Sequence, residues 1–377
     1  MKIGITCYPT YGGSGVVATE LGKALAQKGH TIHFISYALP FRLKEFSQNI
    51  YYHEVDTVNY PLFEFTPYSI TLASKMAQVV SYEKLDLLHV HYAIPHATSA
   101  ILAKDILSDQ NDPMKRVKII TTLHGTDITL VGTEPSLSGA VRLGINKSDG
   151  VTAVSEYLKQ KTIDDFKPTR EIEVIPNFIN TSEFKRKNYP QFRPAIAKPD
   201  EKVIIHISNF RPLKRLKDVV NAFNIINEKI PSRLLLVGDG PERTEAEHLS
   251  RELGLAERVK FLGKQEAVID LLSIADLMLM PSESESFGLA ALEAMSCGVP
   301  VIAADVGGLP EFIKHEENGY LVQVGDTEKM AEYALSLFQN QTRFDTLRQS
   351  ARNTAVEYET SEIVTRYENY YDRIISN

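Results

Sequence analysis

Short apolar, β-branched runs alternate with amphipathic helical stretches along most of the chain. Near the start, the apolar runs Ile3 to Cys7 and Thr31 to Ser36 flank a helical pattern from Gly15 to Lys28. Strands this short and this apolar, separated by helices, are typical of a parallel sheet covered on both faces. The alternation continues through residues 85–90, 94–107, 117–123, 150–154 and 156–166. The pattern predicts a doubly wound α/β domain.

The same alternation restarts with an apolar run from Val203 to Ser208 and a helical stretch from Lys217 to Ile230. Further elements are predicted at 233–237, 242–253, 259–262, 270–274, 277–280 and 299–303. Since 377 residues exceed one comfortable core, we predict two Rossmann-like domains, 1–170 and 171–360. The basic, proline-containing segment 185–194 predicts an exposed linker between them.

The last segment carries a stripe of apolar and aromatic residues at helical spacing. The stripe consists of Ile363, Tyr367, Tyr370, Tyr371 and Ile374. Such a stripe must be buried against another surface. We therefore predict that a helix over 361–377 packs back on the first domain.

Composition narrows the class of protein. The hydrophobic fraction of 43% and the charged fraction of 24% are those of a globular protein, and the net charge of −7 gives no general attraction to nucleic acid or anionic membranes. No apolar stretch approaches the roughly 20 residues of a membrane span, and Met1 leads into a strand rather than a signal peptide. These features predict a cytoplasmic protein without stable membrane insertion. Cys7 and Cys297 lie in separate apolar segments, which predicts two buried thiols.

Two glutamates separated by seven residues, Glu285 and Glu293, lie around the predicted start of a helix. Strong helix formers occupy 289–295, and Gly298 and Pro300 end the pattern. Glu285 then precedes the helix, and Glu293 lies along its first turns.

This arrangement suits a phosphorylated sugar. If the helix starts at Phe287-Gly288-Leu289, the backbone N–H groups of Leu289 and Ala290 face a diphosphate at the positive helix end. The two carboxylates can accept hydrogen bonds from hydroxyl groups of the sugar and the ribose. Taken alone, the pair of glutamates is also consistent with two solvated acids on an amphipathic helix.

Ligands bind beyond the carboxyl ends of strands in such sheets, so the loops there are informative. After the first strand, Gly12-Gly13-Ser14-Gly15 permits either an anion site or a plain tight turn. His124, after the strand 118–123, can donate to a sugar hydroxyl or stabilise its own turn. Arg142, on a later helical stretch, can hold a carboxylate or remain solvated.

Histidines 89 and 91 share one face of a strand, but no carboxylate or cysteine stands at ligand spacing. We therefore predict no metal site and expect local hydrogen bonds there.

In the second half, the strand 203–208 is followed by several cations, among them Arg211, Lys214 and Arg215. Cations at a strand end can neutralise a diphosphate leaving group, although a solvated basic turn is the alternative. Glycine turns follow the next strands at Gly238 to Pro241, at Gly263 and at Gly307-Gly308.

Taken in order, these segments resemble the retaining glycosyltransferases of family 4 over essentially the whole chain. The resemblance rests on Gly12-Gly13, His124-Gly125, the segment Arg211 to Lys214, the segment Val237 to Pro241 and the segment Glu285 to Glu293. It implies the GT-B fold, with a nucleotide sugar in the cleft between two Rossmann-like domains. It also implies a hexosyltransferase that uses a UDP-sugar.

Four segments resemble, more narrowly, the branch of the family that joins N-acetylglucosamine to L-malate in bacillithiol biosynthesis. They are residues 4–9, 91–96, 122–129 and 208–211. This resemblance implies UDP-N-acetylglucosamine as donor and L-malate as acceptor, with no further cofactor required.

The resemblance also implies a role for each matched residue. Glu285, Lys214 and His124 are the implied catalytic residues; Glu293 holds the ribose, and His124 contacts the sugar 6-hydroxyl. The implied donor-binding residues are Gly13, Asn209, Arg211, Lys214, Gly263, Glu285, Phe287, Gly288, Leu289, Ala290 and Glu293. The implied acceptor-binding residues are Gly13, Ser14, Tyr92, Thr126, Arg142 and Asn209. Ser208-Asn209 departs from the Gly-Arg of many members, so Arg211 or Arg215 replaces that charge, or Asn209 contacts the acceptor.

Retention without an obvious carboxylate on the far face of the sugar favours front-side substitution over a covalent route through Glu285. Three alternatives stay open: a sugar-nucleotide 2-epimerase, a lipid-directed transferase and a non-catalytic sugar-nucleotide sensor. The aromatic segment from Tyr60 to Tyr68 is a candidate lid or a candidate surface for homo-oligomer formation.

Overall fold

The computed structural model of the protein describes residues 1–10, 12–43, 47–56, 66–189 and 192–376. The chain forms two compact units. Unit 1 comprises Met1–Asn177 and the C-terminal segment from Thr360, and unit 2 comprises Phe178–Glu359. The units divide between Asn177 and Phe178, whereas the sequence predicts the boundary near residue 170.

Unit 1 is built on a parallel sheet of seven strands within the described residues, in the order β3-β2-β1-β4-β5-β6-β7. The strands are β1 (Lys2–Thr6), β2 (Thr31–Ser36), β3 (Ile50–Glu54), β4 (Leu87–His91), β5 (Lys118–Leu123), β6 (Gly150–Ala153) and β7 (Glu173–Val174). The helices are α1 (Gly13–Gln27), α2 (Tyr68–Glu83), α3 (Thr98–Asp109), α4 (Pro135–Lys147) and α5 (Glu156–Phe166). The central strands β1, β4 and β5 are almost entirely buried, because helices cover both faces.

Unit 2 has a parallel sheet of six described strands in the order β10-β9-β8-β11-β12-β13. The strands are β8 (Lys202–Ile207), β9 (Ser232–Val237), β10 (Val259–Gly263), β11 (Leu277–Met280), β12 (Val301–Ala304) and β13 (Tyr320–Val322). The helices are α6 (Leu216–Lys229), α7 (Arg243–Glu252), α8 (Val268–Ile274), α9 (Leu289–Ser296), α10 (Leu309–Phe312), α11 (Thr327–Gln339) and α12 (Gln341–Val356). Strands β8 and β11 are neighbours, so the loops that follow them meet at one edge of the sheet.

The long C-terminal helix α13 (Thr360–Ser376) belongs to unit 1 and carries the last aromatic stripe. Tyr367 and Tyr371 are fully buried, and the Tyr371 hydroxyl lies 2.7 Å from His89 Nδ1 of β4. A Cβ at Gly150 would lie 2.7 Å from the Tyr370 hydroxyl, so the small residue lets α13 approach β6. Burying one such aromatic side chain contributes about 1.5–3 kcal/mol, which anchors the helix.

The segment 185–194 is not a linker between the two units but part of unit 2, although Lys185, Lys187 and Asn188 are exposed as the sequence predicts. Arg193 forms an ion pair with Asp276 (2.7 Å), and the backbone N–H of Lys187 donates to Ser273 Oγ (3.0 Å). Arg186 donates to the carbonyl oxygen of Ala275. The two arginine side chains bind the last residue of α8 and the two residues that follow it, which anchors the segment to unit 2.

Sequence reasoning also missed the edge strand β3 and helix α2. Most of β3 is partly exposed, so its apolar pattern is weak. Residues 60–65 of the aromatic segment from Tyr60 to Tyr68 lie outside the described residues. Tyr68, the last residue of that segment, is the first residue of α2. Cys7 and Cys297 are both buried free thiols. Within the described ranges, no helix is both long enough and apolar enough to cross a membrane.

Candidate active site

The start of helix α9 is the first element of the candidate site in unit 2. The helix begins at Leu289, as the sequence predicts, directly after Gly288 at φ 102°. A Cβ at Gly288 would lie 2.4 Å from Leu309 Cδ2, so this left-handed turn requires glycine. The N–H groups of Leu289 and Ala290 occupy the first turn, where a helix offers them no acceptor. N–H groups in this position can bind a phosphate group.

Glu285 and Lys214 form an ion pair across two loops of unit 2. Lys214 follows β8 and Glu285 follows β11; their side chains are only 16% and 12% exposed. Ser282 Oγ donates to the same carboxylate oxygen of Glu285 (3.1 Å). The N–H of Glu283 donates to the carbonyl oxygen of Leu213 (2.8 Å), which fixes the two loops together. The structure therefore joins two residues that the sequence assigns separately.

The backbone of Glu285 is held by the turn after β12. The N–H of Gly308 donates to the carbonyl oxygen of Glu285 (2.9 Å). Gly307 has φ 60°, and a Cβ there would lie 1.8 Å from that oxygen. Only glycine allows this approach, so Gly307 positions Glu285.

We expect Gly307→Ala to displace Glu285 and to destabilise unit 2 by about 3 kcal/mol or more, because a backbone clash adds to the strain of a left-handed residue. Gly254→Ala is the matched control: Gly254 has φ 70°, but an added Cβ would meet nothing within 4 Å. Gly254→Ala should lower the free energy of unfolding by only about 1–2 kcal/mol. Urea unfolding of both variants measures the difference, and equal losses would show that the clash is relieved without displacing Glu285.

The remaining residues assigned to the donor vary in exposure. Glu293 is 8% exposed on α9, and Phe287 is buried with its ring stacked on Phe312 (centroids 5.2 Å apart). Asn209 and Arg211 are exposed on the loop after β8, and Gly263 ends β10 at φ 66°.

Backbone contacts fix the loop that carries Asn209. A Cβ at Gly238 would lie 1.7 Å from the carbonyl oxygen of Ser208, and one at Gly240 would lie 2.1 Å from that of Asn209. These glycines therefore let the turn after β9 pack directly on the loop after β8.

His206 is a supporting residue that sequence reasoning missed. Its Nδ1 donates to the carbonyl oxygen of Leu279 (2.8 Å), and its Nε2 lies 2.8 Å from Ser208 Oγ. Burial lowers the pKa of His206 to about 4, so the ring is neutral at pH 7. A histidine inside an apolar strand, two residues before Ser208, was the available signal.

In unit 1, three assigned hydroxyl residues lie together. Ser14 Oγ at the start of α1 lies 2.8 Å from the hydroxyl of Tyr92. Tyr92 follows β4 at φ 97° and also hydrogen-bonds Thr126. Burial raises the pKa of Tyr92 to about 12, so its hydroxyl keeps its proton. Gly13 is exposed one residue before Ser14.

His124 adjoins this group, with its ring centroid 5.5 Å from that of Tyr92. His124 Nε2 lies 2.7 Å from Nδ1 of His91, the last residue of β4. Burial lowers the pKa of His124 to about 3, so the imidazole is neutral at pH 7. It can bind a hydroxyl group but carries no charge for a phosphate.

Asp127 joins the loops after β4 and β5 and was not assigned a role from sequence. Its carboxylate accepts hydrogen bonds from the N–H groups of Ala93 (2.9 Å), Gly125 (3.1 Å) and His124 (3.3 Å). The side chain is 2% exposed, and burial raises its pKa to about 6. An acid three residues after a strand-end histidine was the only signal in the sequence.

Arg142 stands apart from these residues. It is exposed on α4, and within the described part of the chain no hydrogen bond or ion pair links it to Ser14, Tyr92 or Thr126. Helix α4 itself is fixed at Gly144, where a Cβ would lie 2.6 Å from the carbonyl oxygen of Ala93.

Histidines 89 and 91 have the hydrogen bonds expected of them, since His89 Nε2 lies 2.7 Å from Thr122 Oγ1. Three other residues, His33, His53 and Glu83, have side-chain atoms of metal-ligand type that all lie within 4.8 Å of one another. The sequence did not predict this group. His33 Nδ1 and His53 Nε2 are 2.9 Å apart, with ring planes 20° from parallel, so the two histidines already form a hydrogen bond with each other.

Comparison with known proteins identifies the family. The model described as "Glycosyltransferase Family 4" matches residues 11–183, and that described as "Glycosyl transferases group 1" matches residues 188–355. A Bacillus anthracis protein named N-acetyl-alpha-D-glucosaminyl L-malate synthase is 50% identical over 99% of this chain and 97% of its own length. The chain belongs to glycosyltransferase family 4.

Solved structures agree with this family-4 glycosyltransferase in fold. Sucrose-phosphate synthase from Thermosynechococcus elongatus has a TM-score of 0.82 at 21% identity, covering 100% of this chain and 99% of its own. Anabaena HepE in complex with UDP-glucose has a TM-score of 0.81 at 21% identity, covering 99% and 100%. The predicted fold class, two Rossmann-like parallel-sheet domains of the GT-B type, is confirmed.

Proposed function

We propose that this glycosyltransferase moves N-acetylglucosamine from UDP-N-acetylglucosamine to the hydroxyl group of L-malate, with retention of configuration. The observation that carries the proposal is the 50% identity, over 99% of the chain, to the Bacillus anthracis protein named for that product. The reaction would be the first step of bacillithiol biosynthesis and needs no cofactor beyond the donor.

The donor half of the site belongs to unit 2 in this proposal. The diphosphate binds the N–H groups of Leu289 and Ala290 and the ammonium group of Lys214, with Arg211 adding charge. Glu293 accepts hydrogen bonds from the ribose, and Glu285 accepts them from hydroxyls of the transferred sugar. Asn209, Gly263, Phe287 and Gly288 shape the same surface. The buried ion pair of Lys214 and Glu285 supports this assignment, because the residue proposed to bind the diphosphate lies beside the residue proposed to bind the sugar.

The acceptor half belongs to unit 1. Ser14, Tyr92 and Thr126 offer hydroxyl groups to the carboxylates of malate, and the N–H of Gly13 adds a donor near the start of α1. Arg142 is the proposed fixed cation. Asn209, a residue of unit 2, is also assigned to the acceptor. The hydrogen-bonded cluster of Ser14, Tyr92 and Thr126 supports this half.

In the proposed step, the bond from the anomeric carbon to the UDP phosphate oxygen breaks while the malate oxygen bonds to the same face of that carbon. The malate hydroxyl proton passes to the departing phosphate oxygen, so no protein base is needed. Lys214 and the α9 amides stabilise the charge that develops on UDP, and His124 holds the sugar 6-hydroxyl.

The direct test is to incubate the purified protein with UDP-N-acetylglucosamine and to measure UDP release with and without L-malate. Succinate, which lacks the hydroxyl group, and inositol phosphate are the control acceptors. Malate-dependent release with a glucosaminyl-malate product by mass supports the proposal. Conversion of the donor without any acceptor would indicate an epimerase instead, and release stimulated by inositol phosphate alone would reassign the acceptor.

We expect Arg142→Ala to raise the KM for malate about tenfold to hundredfold, because a charge-assisted hydrogen bond to a carboxylate is lost. The KM for the donor should change little. Arg116→Ala, at another exposed arginine of unit 1, is the control and should leave both values unchanged. Steady-state kinetics measures both, and equal changes in the two KM values would remove Arg142 from the acceptor site.

A further inference from the structure

A pair of histidines in unit 1 shares a single hydrogen bond. His91 Nδ1 and His124 Nε2 are 2.7 Å apart, with ring centroids 5.0 Å apart and planes 25° from parallel. One nitrogen must donate and the other must accept, because neutral imidazoles each carry one ring proton. The position of that proton decides what the other side of His124 can do.

His91 settles the direction of this bond. It is fully buried, and its Nε2 has no hydrogen-bond partner within the described residues. A proton on Nε2 would be a buried N–H without an acceptor, which is costly. A proton on Nδ1 is used instead in the bond to His124.

The neighbouring His96 has the same arrangement. Its Nδ1 lies 2.5 Å from the carbonyl oxygen of His91, which can only accept a hydrogen bond. His96 therefore carries its proton on Nδ1, and its Nε2 is likewise buried without a partner in the described chain. The cluster therefore contains an unprotonated, buried Nε2 at His96, the same state that is inferred for His91.

His124 is then left with one possible tautomer. Burial lowers the pKa of His91 well below its usual range and that of His124 to about 3, so neither ring has a second proton at neutral pH. Since His124 Nε2 accepts from His91, its own proton is on Nδ1. Within the described part of the chain, that nitrogen makes no hydrogen bond and remains available to a ligand.

We propose that His91 is a positioning residue that holds His124 in the Nδ1–H tautomer, so that His124 donates to the 6-hydroxyl oxygen of the transferred sugar. This inference rests on the proposed function. A fixed N–H orients the hydroxyl without introducing charge, whereas a ring without its partner at His91 would populate both tautomers and flipped orientations. The hydrogen bond to the sugar would then form in only part of the molecules.

Two substitutions separate the effect of the hydrogen-bond donor of His91 from the effect of its side-chain volume. In His91→Asn, the side-chain amide nitrogen stands near the position of Nδ1 and keeps a donor for His124. His91→Phe keeps the ring but removes the donor. We expect His91→Phe to lower kcat/KM for UDP-N-acetylglucosamine about tenfold or more, and His91→Asn to restore most of that loss. Circular dichroism of both variants checks folding.

The 6-hydroxyl itself supplies the decisive comparison. With a donor that carries a 6-deoxy sugar, wild type and His91→Phe should differ by less than about twofold, because the contact is absent in both. An undiminished difference with the 6-deoxy donor would overturn the link between His91 and that hydroxyl.

Nitrogen NMR of protein labelled with ¹⁵N-histidine reads the tautomer without any turnover. His124 is assigned by the signals lost in His124→Gln. We expect a protonated Nδ1 and a bare Nε2 in wild type, and loss of this pattern in His91→Phe but not in His91→Asn. A protonated Nε2 at His124 in wild type overturns the proposal. If wild type does not transfer sugar to malate, the proposed function fails, and the NMR result still decides the assignment of His91.

Discussion

Lys214→Ala should lower kcat/KM of the transferase by about 10³-fold or more. The substitution removes the cation proposed to meet the departing diphosphate, and loss of one preorganised donor to developing charge typically costs 10²- to 10³-fold. It also leaves the Glu285 carboxylate, which is 12% exposed, without its ion-pair partner. An unpaired, largely buried charge is strongly destabilising, so the carboxylate proposed to bind the sugar should also move from its position.

Two variants make this expectation specific. Lys217 is 52% exposed and pairs with Glu245 on the surface of unit 2, so Lys217→Ala is the matched control and should keep nearly full activity. Adding Glu285→Gln to Lys214→Ala should recover stability in urea unfolding but no activity, because the carboxylate charge is gone while the cation is still missing. Activity of Lys214→Ala within about tenfold of wild type would exclude Lys214 from transition-state stabilisation.

The ion pair itself illustrates what the sequence could not predict. The start of α9 follows from local signals, since helix formers over 289–295 come directly after Gly288. Lys214 and Glu285 are 71 residues apart and meet because β8 and β11 are adjacent in the sheet. Strand order is a tertiary property, so residue types and spacing identify both loops without pairing them.

The histidines of unit 1 show the same limit. Their positions at strand ends are visible in the sequence, and the family resemblance assigned His124 to the site. Their pairing requires that β4 lie beside β5, with His91 opposite Thr122. Their neutral state depends on burial, which a single sequence does not give. Asp127 escaped assignment for the same reason: its role depends on backbone N–H groups from two loops.

The basic segment 185–194 misled sequence reasoning in the opposite direction. Charge and proline are typical of exposed linkers, but Arg193 pairs with Asp276 and stays partly buried. The guanidinium groups of Arg186 and Arg193 bind carbonyl and carboxylate oxygens. Whether a cation is solvated or engaged depends on acceptors supplied by a distant element, in this case the end of α8 and the two residues that follow it.

Acidification should unfold unit 1 before unit 2. Burial lowers the folded-state pKa of His89 and His124 to about 3 and that of His96 to about 4, and lowers that of His91 strongly. In the unfolded chain these groups titrate near 6.5, so the unfolded state binds more protons below that pH. The stabilisation from the neutral rings is therefore complete above pH 6.5 and is lost as the pH falls towards their folded values.

The expected loss in unit 1 is large. At pH 5, each histidine with a folded pKa of 3 to 4 contributes about 2 kcal/mol of destabilisation. Asp127 has a folded-state pKa of about 6, above its unfolded value, so at pH 5 it binds a proton more readily in the folded state. This stabilises the folded state by about 1 kcal/mol and offsets part of the loss from the histidines. The net loss of several kcal/mol approaches the whole stability of an ordinary domain. In unit 2, His206 is the one histidine with a lowered pKa among the described residues.

Hydrogen exchange with mass spectrometry can follow the two units separately, which matters because the chain has no tryptophan to report on either one. Between pH 7.5 and pH 5, after correction for the intrinsic pH dependence of exchange, peptides from β4 and β5 should lose protection well before peptides from β8 and β11. Equal loss in both units would show that a general carboxylate titration, and not the buried histidines, governs acid stability. Unchanged protection in unit 1 at pH 5 would mean that the folded unit accommodates protonated histidines, so that burial does not lower their pKa values as expected.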